Sequence, residues 1–199
     1  MKTYRSLFAL IAVHSLLVAT SDAAIIYSGL QNIAISTSFD GTYLDVDTGL
    51  VVPVEGAGWD INPFFGGEGI GNSPSFQPVR ASTSSSSAVK NLAFGQMVTA
   101  SSIYASGFAG SDSHIGIGPD QFISGDDGYI GFKFFTNAND GPFYGWMRLN
   151  LSNTVADGFI RDWAYDDSGA SISVGAVPET SSILAVIVGS LGFSFRRRR

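Results

Sequence analysis

Residues 128–151 read GYIGFKFFTNANDGPFYGWMRLNL, and this stretch decides the fold. Apolar residues alternate with others in 129–136 and again in 143–151, and the turn-forming residues 137–142 separate the two runs. We therefore predict an antiparallel β-hairpin. If Thr136 lies opposite Phe143, one face of this hairpin is wholly apolar. Its pairs are Phe134 with Gly145, Phe132 with Met147 and Ile130 with Leu149.

The other face of the predicted hairpin is aromatic and basic. In the same register it pairs Phe135 with Tyr144, Lys133 with Trp146 and Gly131 with Arg148. Two interpretations of this face remain open. In the first, the face lies beneath a second layer of protein, because large aromatic side chains drive packing. In the second, it is the floor of a groove that stacks on sugar rings. In the second interpretation the candidate ligand-binding residues are Tyr129, Lys133, Tyr144, Trp146 and Arg148.

The sequence around the hairpin predicts further short strands. Residues 159–165 read FIRDWAY and predict a third strand within 154–166. Asp40 and Gly41 form a turn signal that predicts a second hairpin between residues 32–39 and 42–47. No segment of 25–176 keeps a helical period, so we predict an all-β domain, an antiparallel two-sheet sandwich that is jelly-roll-like.

Residues 42–47 contain the first candidate for chemistry. Alternation places Asp45 and Asp47 on the same face of the predicted strand, on the side away from Leu44. Two such carboxylates coordinate calcium with loop oxygens or act as an acid/base pair, or they belong to a solvated face that ends in the turn 47–49. No EF-hand loop follows, so calcium is an option without a complete motif, and no metal or cofactor residue is assigned.

Composition excludes several classes of activity. Residues 25–176 hold five Lys and Arg residues against fifteen Asp and Glu residues, and this negative charge argues against a nucleic-acid partner. The chain has no cysteine, which rules out thiol nucleophiles, cysteine zinc sites and disulfides. His114 is the single histidine of this region, lacks a Gly-x-Ser-x-Gly elbow and is predicted to lie in a loop or at a strand edge. We therefore assign no catalytic residue and predict that the protein is not an enzyme.

Residues 1–24 have the layout of a secretory signal peptide. Lys2 and Arg5 precede an apolar stretch at 7–18, and small residues follow it. We predict a signal helix that directs export through the Sec translocon and is cleaved after Ala23 or Ala24.

Residues 177–199 read VPETSSILAVIVGSLGFSFRRRR. An apolar run followed by arginines is typical of a membrane-spanning helix whose arginines stay in the cytoplasm. The tail resembles the PEP-CTERM sorting signal of Gram-negative bacteria, although Thr180 stands where that family usually has a second proline. The resemblance implies transient anchoring in the inner membrane, recognition and cleavage by an exosortase, and a final location at the cell surface or outside the cell. The residues that carry it are Val177, Pro178, Glu179, Arg196, Arg197, Arg198 and Arg199.

The body also resembles a group of exported PEP-CTERM proteins in which the motifs YxNVxTG, GWDINP, GYIGFRF and YGW occur in this order. The corresponding segments are YLDVDTG at 43–49, GWDINP at 58–63, GYIGFKF at 128–134 and YGW at 144–146. This resemblance implies one β-rich domain at 25–176 and brings no known chemistry with it. We therefore predict an exported surface or extracellular-matrix protein associated with exopolysaccharide. The alternatives are a carbohydrate-binding module that uses exposed aromatic residues and a glycan-active hydrolase.

Overall fold

The computed structural model of the chain describes residues 24–153 and 158–179. Within these residues the fold is mostly β, and every pairing between the named strands is antiparallel. Helix in this part of the chain is limited to the single turn α1 (Ser111–His114) and to a 3₁₀ turn (Phe65–Gly67). The prediction of an antiparallel β fold is thus confirmed. The predicted signal helix and sorting helix lie outside the described residues.

The large sheet has six strands. They are β1 (Ile25–Tyr27), β2 (Ile33–Ala34), β7 (Phe76–Pro78), β10 (Asp127–Phe134), β11 (Phe143–Asn150) and β12 (Phe159–Asp166). Their order is β1-β12-β11-β10-β7, and β2 also pairs with β12. The three eight-residue strands β10, β11 and β12 therefore form a meander, and the predicted third strand is confirmed.

The small sheet and a short ribbon complete the fold. The strands of the small sheet are β3 (Tyr43–Leu44), β4 (Val51–Val52), β5 (Ile61–Phe64), β6 (Gly69–Asn72) and β9 (Ala109–Gly110). The strands of the ribbon are β8 (Met97–Val98) and β13 (Ile172–Ser173). The small sheet has the order β4-β3-β5-β6-β9, and the ribbon pairs β13 with β8.

The predicted hairpin forms, with the predicted faces and a different register. Phe134, and not Thr136, lies opposite Phe143, so every pair is displaced by two residues. The observed pairs include Phe132 with Gly145, Ile130 with Met147, Lys133 with Tyr144, Gly131 with Trp146 and Tyr129 with Arg148. The physical reason is that β10 leaves the hairpin ladder after Phe134. The Phe135 N–H donates to Ser75 O, and Thr136 begins a local turn in which its N–H donates to Asp140 O.

The second predicted hairpin is wrong. Residues around Asp40 do form a turn, but the two flanking strands belong to different sheets. Ile33 and Ala34 pair with β12 in the large sheet, whereas β3 pairs with β4 and β5 in the small sheet. A local turn signal does not determine the partner of a strand when a longer strand elsewhere in the chain offers a free edge.

The main core lies between the large and the small sheet, and both contribute fully buried side chains to it. The large sheet contributes Phe76, Ile130, Phe132, Phe134, Met147, Leu149 and Ile160, and the small sheet contributes Leu44, Ile61, Ile70 and Ala109. The apolar face predicted for the hairpin is therefore the core face. This shared core fixes how the turns at the ends of the strands are placed.

A second core covers the opposite face of the large sheet. It joins Tyr144 and Trp146 of β11 to Val98 of β8 and Ile172 of β13. The ribbon and its flanking loops thus form a layer over this face. Within the described residues, no comparable layer lies over the outer face of the small sheet at Phe64 and Phe108.

Arg80 is a fully buried cation that follows β7. Its guanidinium donates to Ala105 O at 3.0 Å, Ser87 O at 2.6 Å, Gly107 O at 2.8 Å and Asn72 Oδ1 at 2.9 Å. Burial lowers the pKa of Arg80, and no carboxylate of the described residues lies within 4.0 Å of it. Neutral acceptors therefore satisfy its hydrogen-bonding capacity.

Candidate functional site

Three aspartates form a compact carboxylate cluster where the small sheet meets the loop after β10. One carboxylate oxygen from each of Asp45, Asp47 and Asp60 lies within 4.8 Å of the others. Asp45 and Asp47 follow β3, and Asp60 directly precedes β5. The pairing of Leu44 with Ile61 brings the two segments side by side, which explains the approach of Asp60. We call Asp45, Asp47 and Asp60 the carboxylate cluster.

The cluster corrects one sequence interpretation. Asp45 and Asp47 do lie together, but β3 ends at Leu44, so a turn brings them together and not strand alternation. Asp45 is only 7% exposed and Asp60 only 3% exposed. The solvated-face alternative is therefore wrong for Asp45, and Asp47 alone of the two is half-buried.

Backbone and amide donors hold the cluster. Asp60 Oδ2 accepts from the Val46 N–H at 2.8 Å, and Asp45 Oδ1 accepts from the Thr48 N–H at 3.1 Å. Asn137, in the loop after β10, donates its Nδ2 to Asp45 Oδ2 at 2.8 Å. It also donates to Asp47 through its N–H at 3.2 Å and its Nδ2 at 3.4 Å. The cluster therefore ties the small sheet to a loop of the large sheet.

Gly58 provides the space in which Asn137 reaches the cluster. Its φ is +83°, and a Cβ at this position would lie 2.7 Å from Asn137 Nδ2. A side chain there would both strain the backbone and displace the amide. The glycine of the GWDINP segment thus has a defined role in holding the cluster together.

The three carboxylates have different proton affinities. Burial raises the pKa of Asp60 to about 7, and the charges of Asp45 and Asp47 add to this effect. Burial, the hydrogen bond with Asp45 and the charge of Asp45 raise the pKa of Asp47. Burial also acts to raise the pKa of Asp45, but hydrogen bonds from Asp47, Thr48 and Asn137 outweigh it and lower the pKa. Asp60 is therefore the member that binds a proton most readily.

The cluster could bind a proton or a hard cation, since all of its acceptors are oxygens. Among residues 24–153 and 158–179, no Lys or Arg lies within 4.0 Å of these carboxylates. Calcium takes six to eight oxygen ligands, and several of the cluster oxygens already accept hydrogen bonds from Val46, Thr48 and Asn137. The described residues therefore do not complete a calcium shell by themselves.

The cluster does not form one reaction cleft. Asp47 lines a groove of about 290 Å³ beside Trp163 and Tyr165, and Asp45 lines a separate groove of about 240 Å³ beside Trp59. Asp60 lines neither groove. Each of these two grooves is thus lined by one carboxylate of the cluster, whereas glycoside hydrolysis uses two that flank the bond.

The predicted ligand face lies under the second core. Trp146 is 3% exposed and donates its Nε1–H to Ala176 O at 2.9 Å, and Tyr144 is 8% exposed. Lys133 Nζ lies 4.8 Å from the centre of the Tyr104 ring. The structure thus brings these side chains together, and the burial of Tyr144 and Trp146 favours the packing interpretation of this face.

Arg148 completes this face with an ion pair in which the carboxylate is buried and the arginine is half-buried. Its guanidinium donates to both oxygens of Asp162, at 3.0 Å and 2.6 Å, and Asp162 also accepts from the Tyr27 hydroxyl at 2.9 Å. The Asp162 hydrogen bond raises the pKa of Arg148. Tyr129 is half-buried and packs against Trp146 with ring centres 5.9 Å apart.

His114 differs from its prediction. It ends α1 and is fully buried, so the loop or strand-edge assignment is wrong. Its Nε2 lies 2.8 Å from Gly67 O, and Nδ1 has no hydrogen-bond partner. Burial lowers the pKa of His114, so the ring is neutral and its Nε2–H is the donor. This histidine is buried and links α1 to the backbone of Gly67, at the end of the 3₁₀ turn.

A phenylalanine groove on the outer face of the small sheet was not indicated by the sequence pattern. Its volume is about 510 Å³, and we define it by Phe64, Phe65 and Phe108 with the flanking Phe39. Phe64 and Phe108 stack with ring centres 5.7 Å apart. The remaining lining residues are Glu68, Gly69, Gly110, Ser111, Asp112 and Ser113. The four phenylalanines come from three separate segments. The only one of these segments that contains two neighbouring phenylalanines is Phe64–Phe65, so no local sequence pattern predicted the groove.

The sorting residues are only partly described. Val177, Pro178 and Glu179 are exposed at the end of the described chain, and Arg196, Arg197, Arg198 and Arg199 lie outside it. Residues 1–23 of the predicted signal peptide also lie outside it. In 24–153 and 158–179 no helix has the length and apolar character needed to cross a bilayer.

Comparison with known proteins identifies no relative of this chain. No protein-family model, curated protein or solved structure matches the chain.

Proposed function

We propose that this chain is an exported, non-enzymatic protein of the cell surface or extracellular matrix, sorted by an exosortase and associated with exopolysaccharide. The single observation that carries the proposal is the sequence of 177–199, in which a Val-Pro-Glu box, an apolar run and four arginines follow one another. The leader-like residues 1–24 support the same route.

The fold is compatible with removal of both ends. The first strand begins at Ile25, directly after the predicted cleavage site, and its edge pairs with β12. Near the other end, Ala176 O accepts from Trp146 before the Val-Pro-Glu box begins. Cleavage on either side would therefore leave the two cores intact, which supports a role for the ends as sorting signals.

We also propose a two-sheet sandwich for the domain, since both larger sheets contribute to one core. The meander β10-β11-β12 within one sheet departs from a jelly roll, in which successive strands alternate between sheets. The proposal is therefore limited to a sandwich.

Carbohydrate binding is the second candidate function, and the phenylalanine groove favours it. The predicted aromatic platform is buried, whereas this groove leaves Phe108 54% exposed. The hydrolase alternative would have to use Glu68 and Asp112, which line the same groove. Release of shorter sugars from a panel of polysaccharides would establish the hydrolase and contradict the non-enzymatic proposal.

Mass spectrometry of the protein recovered from its native cells tests the proposal. We expect a mature chain that starts near Ile25, ends near Glu179 and is found in the surface or extracellular fraction. A chain recovered from the cytosol with both Lys2 and Arg199 still present would overturn the proposed export and processing.

A further inference from the structure

The outer face of the small sheet presents contiguous aromatic rings to solvent. Phe39 is 82% exposed and Phe108 is 54% exposed, and Phe39 contacts Phe64 and Phe65 with ring centres 6.4 Å apart in both cases. Isolated exposed phenylalanines need no explanation, but rings that touch one another along a groove indicate a surface for binding. No described residue covers these rings as the ribbon covers the large sheet.

The absence of a side chain at Gly69 makes room for the rings of the phenylalanine groove. Phe64, Gly69 and Gly110 lie side by side on β5, β6 and β9. A Cβ at Gly69 would lie 2.5 Å from Phe64 Cε2 and 2.9 Å from Phe108 Cε2. The rings of Phe64 and Phe108 can therefore pack over β6 only because position 69 has no side chain. The groove is a consequence of this arrangement and not a chance gap between loops.

The rim of the groove is polar and carries only negative charge. Glu68 and Asp112 line it together with Ser111 and Ser113, and no lysine or arginine of the described chain does so. Carboxylates accept hydrogen bonds from hydroxyl and ammonium groups, and charge-assisted bonds of this kind are the stronger ones. The same charges repel carboxylated or sulfated sugars.

We propose that the phenylalanine groove binds a polysaccharide that contains amino sugars with free ammonium groups. This inference rests on the proposed function and names the class of exopolysaccharide that the protein would hold. The C–H face of a pyranose ring packs on Phe64 and Phe108, and the ammonium group lies between the ring faces and the carboxylates of Glu68 and Asp112. The serine hydroxyls bond the sugar hydroxyls.

A basic peptide is the competing occupant, and the position of the groove argues against it. Peptides gain affinity at sheets by pairing their main chain with a free strand edge. The floor of this groove runs across β5, β6 and β9, whose facing backbone groups already pair with one another. The groove offers ring faces and carboxylates, and the one strand edge beside it that has no strand partner among the described residues belongs to β9, which is only two residues long.

Binding to defined oligosaccharides tests the proposal. The full-length chain in a mild non-ionic detergent is titrated calorimetrically at about pH 6, where glucosamine is protonated, with hexamers of glucosamine, N-acetylglucosamine and galacturonic acid. We expect glucosamine to bind about ten-fold or more tightly than N-acetylglucosamine, no binding of galacturonate, and weaker binding as salt is added. A Phe-Arg repeat peptide of equal charge tests the competing occupant.

Matched variants locate the site. We expect Phe108→Ala and Asp112→Asn each to weaken glucosamine binding about ten-fold. The controls Phe94→Ala, at a phenylalanine that is 73% exposed elsewhere, and Asp126→Asn, at an exposed aspartate elsewhere, should leave binding unchanged. Asp112→Asn keeps the size of an exposed side chain, so it remains informative if Phe108→Ala folds poorly.

Several results would overturn the inference. They are equal binding of the three oligosaccharides, equal loss of binding in the control variants, or tighter binding of the peptide than of glucosamine. A chain that is exported and trimmed but binds no amino sugar would refute this inference alone. A chain that remains untrimmed in the cytosol but binds glucosamine through Phe108 would refute the proposed function alone.

Discussion

The outer faces of the two larger sheets use aromatic residues in opposite ways. On the large sheet, Tyr144 and Trp146 lie beneath the β8–β13 ribbon and are less than 9% exposed. On the small sheet, Phe108 and Phe39 are more than half exposed, and no described element covers them. The strands of the large sheet are richer in aromatic residues, but the aromatic cluster that solvent can reach lies at the outer face of the small sheet.

This difference shows that aromatic content alone does not identify a binding surface. The short ribbon, only two residues per strand, converts a potential groove floor into a second core. Whether a face binds or packs depends on what the rest of the chain places over it. The comparison predicts different responses to mutation on the two faces.

The largest difference is expected between Trp146→Ala and Phe108→Ala. Removing the buried indole leaves a cavity and an unpaired Ala176 carbonyl, so we expect a loss of about 3–5 kcal/mol in the free energy of unfolding. Removing the exposed Phe108 ring should change it by about 0.5 kcal/mol or less. Urea unfolding of both variants measures this, and similar losses in the two would show that the faces do not differ as described.

The carboxylate cluster joins the two sheets, and its pH dependence tests that connection. The pKa of Asp60 is about 7 in the folded protein, above its ordinary value of 3.8. The stability that its protonation contributes is therefore present below the ordinary pKa and lost as pH rises to about 7. Asp60→Asn keeps an acceptor for the Val46 N–H and cannot ionise. We expect the variant to be more stable than the wild type at about pH 8, by on the order of 2–4 kcal/mol, and similar to it near pH 4.

His114 complicates a measurement on the wild type alone. Burial lowers its pKa, so its contribution is present at neutral pH and lost as pH falls, opposite in sign to that of Asp60. The difference between wild type and Asp60→Asn removes the histidine contribution, because both proteins contain it. A difference that does not change between about pH 4 and pH 8 would contradict the raised pKa of Asp60.

Two ion pairs test the same contrast between covered and open surfaces through their contributions to stability. Arg148 contacts Asp162 at 2.6 Å, and the Asp162 side chain is 4% exposed; Lys90 contacts Asp120 at 2.7 Å, and the Asp120 side chain is 52% exposed. Arg148→Met leaves a buried carboxylate with fewer donors, so we expect a loss of about 2–3 kcal/mol in unfolding free energy. Lys90→Met should cost about 0.5 kcal/mol or less. Equal costs would show that the cover over β11 does not exclude water.

Gly69→Ala should cost less stability than Trp146→Ala or Arg148→Met. The new methyl group displaces the rings of Phe64 and Phe108, but Phe108 can move into solvent, so we expect a cost of about 1–2 kcal/mol. The groove should close at the same time, with a larger relative loss of glucosamine binding than of stability. Gly56→Ala is the control, since φ there, as at Gly69, lies outside the left-handed region and a Cβ would meet nothing within 4 Å.

Alternation in the sequence predicted which side chains of β10 and β11 face the core, because strand side chains alternate whatever the partner. It could not predict the register, which depends on where each strand leaves the ladder. Phe135 hydrogen-bonds to Ser75, a residue sixty positions earlier, and that contact ends the hairpin at Phe134. For the same reason Asp40 and Gly41 predicted a turn correctly and its hairpin wrongly.

The sites show the same limit. Asp45 and Asp47 are close in sequence and were recognised as a pair, whereas Asp60 joins them only through the pairing of β3 with β5. Phe64 and Phe108 are likewise brought together by the order of strands in the small sheet, and Phe39 joins them from the turn that precedes β3. Local sequence patterns predict which residue types lie on which face of a strand. They do not predict which distant segments the fold brings together.

The buried guanidinium of Arg80 has a consequence for how the domain moves. Its acceptors are carbonyls of three separate loop positions and one asparagine amide, so one side chain serves as the common anchor of segments that share no strand. Release of any one segment would leave the buried positive charge of Arg80 with fewer hydrogen-bond acceptors. We therefore expect these loops to open together. Amide hydrogens near Ser87, Ala105 and Gly107 should therefore exchange with solvent at a common rate.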